Sequence, residues 1–203
     1  MRTYTLAPLL AATLLAGCSS TTLIDAPSAP SNAPPSDSAG QKAFVFESGT
    51  VPIGDFDPFT LAPEDYFDPC NDITEEEFRR AGFTGEIKRS TDGEIDSMYG
   101  TSACSFAKGD AFSSVELLSV DGNEEFARSA RTLLPEFQSE VLPEIYVYND
   151  GIDYSSLHVC IAQIDTERGA IGAFFNTVHE NVSFDEHCQI AIEALESLYL
   201  LQS

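Results

Sequence analysis

Residues 141–200 read VLPEIYVYNDGIDYSSLHVCIAQIDTERGAIGAFFNTVHENVSFDEHCQIAIEALESLYL, and the punctuation of this stretch decides the fold. Val141 to Tyr148, Tyr154 to Ile164 and Ala170 to Val178 are rich in β-branched and aromatic residues and are expected as strands. Asn149-Asp150-Gly151 and Thr166-Glu167-Arg168-Gly169 separate them, and polar connections this short favour antiparallel neighbours. The period then changes. Ser183 and Glu186 have capping-box spacing, and Cys188, Ile192, Leu195 and Tyr199 recur along one face of a helix that runs to the end of the chain.

Upstream, Asn123 to Leu134 places Phe126, Ala130 and Leu133/Leu134 at helical spacing, and Pro135 stops it. Ser102 to Ala107 and Phe112 to Val120 flank Lys108-Gly109-Asp110, which predicts a hairpin, and Asp92-Gly93 supplies another turn. Thr74 and Glu77 form a second capping box. It opens a short helix over Glu75 to Ala81, with Ile73 stapled onto Phe78 and Gly82 at the C-terminal cap. Phe44 to Phe67, interrupted by Pro52, Pro58 and Pro63, reads as an irregular lead-in. The expected fold class is α+β: an antiparallel sheet of about five strands with helices packed on one face.

The N-terminus carries an address. After Arg2, an apolar run from Leu6 to Leu15 is too short to span a bilayer but suits a secretory signal, and it leads into Leu15-Ala16-Gly17-Cys18. That string looks like a bacterial lipobox. Cys18 is expected to receive a diacylglyceryl group, with cleavage before it and a firm anchorage by several acyl chains. Residues 1–17 are then the signal, 18–43 a Ser/Pro/Ala tether containing Pro27, Pro30, Pro34 and Pro35, and 44–203 a single domain. A coil of that length spans on the order of 25 to 30 Å.

The chain has 203 residues, 33 acidic and 10 basic, for a formal charge of -23. Arg2 and Lys42 cancel Asp25 and Asp37, so the whole excess belongs to residues 44–203. Such a field repels phosphate and excludes nucleic acid as a partner.

Lipidation of Cys18 leaves Cys70, Cys104, Cys160 and Cys188, an even set outside the cytosol. Three pairings are possible. Cys70 with Cys104 and Cys160 with Cys188 are favoured, because each closes a local loop joining a helix start to a strand. Zinc would require CxxC or histidines at ligand spacing, which the sequence lacks.

Phe67-Asp68-Pro69-Cys70, followed by a capped helix ending Arg80-Ala81-Gly82, resembles an actinobacterial cell-envelope lipoprotein family built on a domain of unknown function. The matching positions are Cys18, Asp68, Pro69, Cys70 and Cys104, over essentially the whole chain. Where that family commonly has Trp after the second Cys, this chain has Phe106. The resemblance implies an exported, lipid-anchored, disulfide-bearing domain and carries over no catalytic residue.

Motifs with chemistry are weak. Ser105-Phe106-Ala107-Lys108 has the SxxK spacing of penicillin-recognising enzymes but lies in a strand-like run without SDN or KTG partners. Gly100-Thr101-Ser102-Ala103-Cys104 lacks the second glycine of a nucleophile elbow. His158, His179 and His187 are candidate general bases whose expected roles are structural or at the surface. Asp92 to Asp96 and Asn149 to Asp153 stop short of a calcium loop, and Asn181-Val182-Ser183 fits a glycosylation sequon whose serine is better used as a helix cap. No residue is assigned a catalytic, cofactor-binding or metal-ligating role. The expectation is a lipid-anchored extracytoplasmic binding or scaffolding module, tied to the membrane through Cys18 and serving an unknown envelope protein or small ligand. The alternative is an envelope hydrolase.

Overall fold

The computed structural model describes residues 40–89, 102–149 and 159–202. Cys18, the signal, nearly all of the tether, the Asp92 to Asp96 turn, Gly100-Thr101, Asp150 to Asp153 and His158 lie outside the described residues.

The chain enters the domain as a hairpin, β1 (Ala43–Phe46) and β2 (Gly49–Pro52), paired Phe44 to Val51. Two short helices follow, α1 (Pro69–Asp72) and α2 (Glu75–Arg80). Next come β3 (Lys88–Arg89), β4 (Ser102–Lys108) and β5 (Asp110–Val120). After α3 (Glu124–Ala130) the chain runs through β6 (Thr132–Leu133), β7 (Tyr146–Asn149), β8 (Cys160–Thr166) and β9 (Gly169–Thr177) into α4 (Phe184–Tyr199).

Strands β3 to β9 form one antiparallel sheet in the order β3-β4-β5-β9-β8-β7-β6. It consists of two meanders, β3-β4-β5 and β6-β7-β8-β9, zipped together where β9 lies along β5, with Leu117 opposite Ala173 and Val115 opposite Phe175. The sheet thus has seven strands, not about five, and the start of the expected irregular lead-in, as far as Pro52, is a two-stranded hairpin, while residues 53–67 are irregular apart from one 3-10 turn. The extra strands escape the sequence pattern for a physical reason: β3 and β6 are two residues long, too short to show a period of two.

Alternation sorts the two faces. Val115, Leu117, Val147, Cys160, Ala162, Ile164, Ile171, Ala173 and Phe175 point to the face covered by α4, whose Cys188, Ala191, Ile192, Leu195 and Leu198 are buried against them. Alanine at 162 and 173, adjacent across β8 and β9, leaves room for that helix to approach. Phe44, Phe46 and Val51 of the hairpin and Ile73 and Phe78 around α2 complete this core. The opposite face is packed by Phe56 with Leu118, Val120 and Ala170, and by Ala127 of α3 with Tyr146, Tyr148 and Ile161. Helices therefore do not all share one face. Helix α3 is also shorter than its pattern: Leu133 leaves the helix to pair with Tyr148 on β7.

The Asp-Pro-Cys string works as a docking device. Asp68 Oδ1 accepts the Cys70 N–H at 2.9 Å and the Ser102 hydroxyl at 2.7 Å, so one carboxylate caps α1 and catches β4. Cys70 is joined to Cys104 on β4, with Cα atoms 5.5 Å apart, and Cys160 on β8 to Cys188 on α4, 5.1 Å apart. The capping box at Thr74 and Glu77 has a further partner: the buried Glu77 carboxylate also accepts the Glu47 N–H from the hairpin turn at 2.6 Å. Burial opposes its ionisation, but the N–H groups of Thr74 and Glu47, the Thr74 hydroxyl and Arg80 outweigh that and hold it below the ordinary carboxylate range. At the β8–β9 turn, Gly169 has φ of +86°, and a Cβ there would run into the Tyr66 ring.

Replacing Cys160 and Cys188 together by alanine is expected to cost about 3 to 4 kcal/mol, because their loop is released in the unfolded chain. Urea unfolding of the two proteins measures it, and an unchanged midpoint would show that the bridge contributes nothing.

Candidate functional site

The face opposite α4 carries a groove between the segment after β2 and helix α3. Beyond Pro52 the chain crosses to that face, and Asp57 organises a turn: its side chain accepts the Phe59 N–H at 2.9 Å and its carbonyl the Thr60 N–H at 3.1 Å. The turn presents Phe59 with 95% of its surface exposed. Across the groove, Asn123 caps α3 by accepting the Phe126 N–H, and its amide donates to the Phe56 carbonyl at 3.2 Å, tying the two walls together. Phe126 is 55% exposed and lies on Gly122 so closely that a Cβ there would come within 2.9 Å of its ring. The groove has a volume of about 710 Å³.

Its floor contains Asp165. Oδ1 accepts the Tyr146 hydroxyl at 2.7 Å and Oδ2 the Glu124 N–H at 2.9 Å. Beneath, the Tyr148 hydroxyl donates to Gln163 Oε1 at 2.8 Å, while the Gln163 amide donates to the Gly122 carbonyl at 2.6 Å and to the Tyr146 oxygen. Burial pushes the Asp165 carboxyl above its usual range, assisted by the Glu124 charge and opposed by the hydrogen bonds it accepts from Glu124 and Tyr146. Burial and the Asp165 charge raise the Tyr146 phenol well beyond its ordinary value, so it stays a neutral donor. Asp55, Asp57, Glu124 and Glu125 add negative charge along the walls, and Arg128 is drawn into an ion pair with Glu124. The arrangement offers apolar rings beside carboxylates, the chemistry of a cation-accepting surface.

The residues marked in the sequence are dispersed. His187 is 7% exposed and sits edge-on to Phe175 at 5.2 Å between ring centres. His179 Nε2 lies 2.8 Å from Asp110 Oδ2 at the far end of β5 and β9. The Phe112 N–H, with His179, holds the Asp110 carboxyl below its usual range. Ser113, three residues after Asp110 and also hydrogen-bonded to its carboxylate, shares its hydroxyl with Thr177 at 2.9 Å. Ser105 and Lys108 lie on β4, so the SxxK spacing opens no helix, and Ser102 is spent on Asp68. Ser183 caps α4 by accepting the Glu186 N–H at 3.2 Å. A second, small crevice of about 90 Å³ lies between α4 and β4, lined by Phe106, Val115, Ile190 and Ala194 with Lys108 and Glu193. Among the described residues no group of three His, Cys, Asp or Glu side chains is placed to hold a metal ion. Sequence reasoning missed the groove. Its one local signal was Asp57-Pro58-Phe59, turn chemistry that delivers an aromatic to the surface.

Residues 13–199 match a family model described as protein of unknown function (DUF3558). No curated protein and no solved structure matches the chain.

Folding raises the Asp165 carboxyl above its unfolded value, so its contribution to stability is full below the unfolded carboxylate range and is lost as pH rises through its folded value. Urea unfolding of the natural chain and of Asp165→Asn, compared between about pH 4 and pH 7, should show the natural chain losing ground to the variant as pH rises. A constant difference would mean that Asp165 does not titrate with folding.

Proposed function

The chain belongs to the DUF3558 family of proteins of unknown function, and on that premise we propose that it is a lipid-anchored extracytoplasmic binding module whose ligand sits in the groove between Phe59 and Phe126. The observation that carries the binding reading is the pair of exposed rings on one groove. A single exposed apolar residue is ordinary on a protein surface, whereas two that face one concave site and are held there by capped backbone mark a place for a partner.

The anchoring half of the proposal rests on Leu15-Ala16-Gly17-Cys18 and on the two disulfides, which persist in an oxidising compartment. No helix among the described residues is long and apolar enough to cross a membrane. The proposed attachment is the lipid on Cys18, whose several acyl chains would hold firmly. The hydrolase alternative has the Asp110 and His179 pair on its side, but Ser113 is engaged by Thr177 rather than by the imidazole.

Cells fed an alkyne fatty-acid analogue should label the natural chain and not Cys18→Ser; label retained on the variant would refute the anchor. For the groove, the mature chain with Cys18→Ser is titrated with the neutral dye Nile red. Fluorescence should rise with the protein and fall by about half or more with Phe59→Ser or Phe126→Ser. Dye binding indifferent to both substitutions would place the binding surface elsewhere, with the crevice beside α4 as the next site to probe.

A further inference from the structure

We infer that the groove takes a basic, apolar-bearing peptide segment of a partner protein, with an arginine or lysine side chain lodged against the rings of Phe59 and Phe126. This rests on the groove being the binding site and adds the class of its occupant.

The occupant is set by charge complementarity. Asp55, Asp57, Glu125 and Asp165 line the site, and the one cationic side chain among its lining residues, Arg128, is already paired with Glu124. A ligand that buries the two rings must desolvate part of this acidic surface, which is favourable only if it brings positive charge. A guanidinium or ammonium over an aromatic face does both, since the ring attracts the cation and the carboxylates neutralise it. The domain already makes that contact internally: the Arg168 guanidinium lies 5.6 Å from the centre of the Phe67 ring.

Other occupants fit less well. Both Asp165 oxygens are engaged, by Tyr146 and by the Glu124 N–H, which leaves the floor unsuited to a bare metal ion. A second copy would bring another chain of charge -23, and anionic lipid would be repelled by the same field. At about 710 Å³ the groove has the volume of an ordinary ligand pocket, so its occupant is assigned by charge complementarity and not by size.

The test uses the mature chain with Cys18→Ser and three fluorescent peptides of equal length, alternating Arg/Leu, Arg/Gly and Glu/Leu, titrated by anisotropy at about 0.15 M salt. The Arg/Leu peptide is expected to bind about ten-fold more tightly than either of the others. Phe59→Ser and Phe126→Ser should each weaken it about five-fold, and Asp57→Asn combined with Glu125→Gln should weaken it and flatten its salt dependence. Glu193→Gln, at the other crevice, should leave it unchanged. Equal binding of Arg/Gly with no effect of Phe59→Ser would reduce the attraction to the general field of the chain and overturn the proposal. Equal binding of Glu/Leu, lost with Phe59→Ser, would overturn the cationic class while leaving the groove as a binding site. Phe59-dependent binding to phosphatidylglycerol vesicles, or Phe59-dependent dimerisation in the ultracentrifuge, would assign the surface to lipid or to a second copy instead. Failure of all peptides, together with dye binding indifferent to Phe59, would remove the site itself.

Discussion

Helix α4 lies on strands β8 and β9, and most of the domain is arranged to permit that contact. The helix buries Cys188, Ala191, Ile192, Leu195 and Leu198 on the centre of the sheet, where Ala162 and Ala173 keep the surface low. The bridge from Cys188 to Cys160 holds its N-terminal half to β8. Everything else on that face fills the space beside the helix: the β1–β2 hairpin, with the Phe44 ring edge-on to Tyr199, and the region of α1 and α2, held by the Cys70 to Cys104 bridge and by Asp68. Glu77 ties these accessory pieces to each other by serving its own helix cap and the hairpin turn with one carboxylate.

This leaves the other face of the sheet without a long helix. Short α3 and the chain after β2 cover it incompletely, and polar residues occupy strand positions that would otherwise be apolar. Tyr146, Tyr148, Gln163 and Asp165 satisfy one another and the Gly122 and Glu124 backbone, so the network is a rigid floor rather than a defect. The two faces thus divide the work. One holds the domain together through apolar burial and two disulfides, and the other carries the exposed rings and the carboxylates.

Reading the sequence succeeded where a segment is long and closes on itself locally. The capped helix at Ser183, the capping box at Thr74, the hairpin at Lys108-Gly109-Asp110 and the turn at Thr166 to Gly169 all carry their instructions within a few residues. It failed where partners are distant. Pro52, Pro58 and Pro63 made the lead-in look irregular, yet Phe44 and Val51 pair as strands because each is buried against α4 and the regions around α1 and α2. Pro143 and the turn from Leu142 to Ile145 delay β7 to Tyr146, and Leu133 was claimed by β7 rather than by the helix its spacing suggested. The groove was illegible for the same reason. Phe59, Phe126 and Asp165 are separated by long stretches of chain and are unremarkable one at a time.

What the sequence determined alone is local and covalent: a lipobox-like start, acidity carried by residues 44–203, capped helix starts, and cysteines spaced for bridges. Periodicity and capping act over a few residues, so one strand of text contains them. The strand order, with β9 set between β5 and β8, the second face and the acidic aromatic groove were decided only by tertiary structure. They depend on which buried surfaces meet across the sheet, and that contest among apolar faces is settled by the whole chain at once.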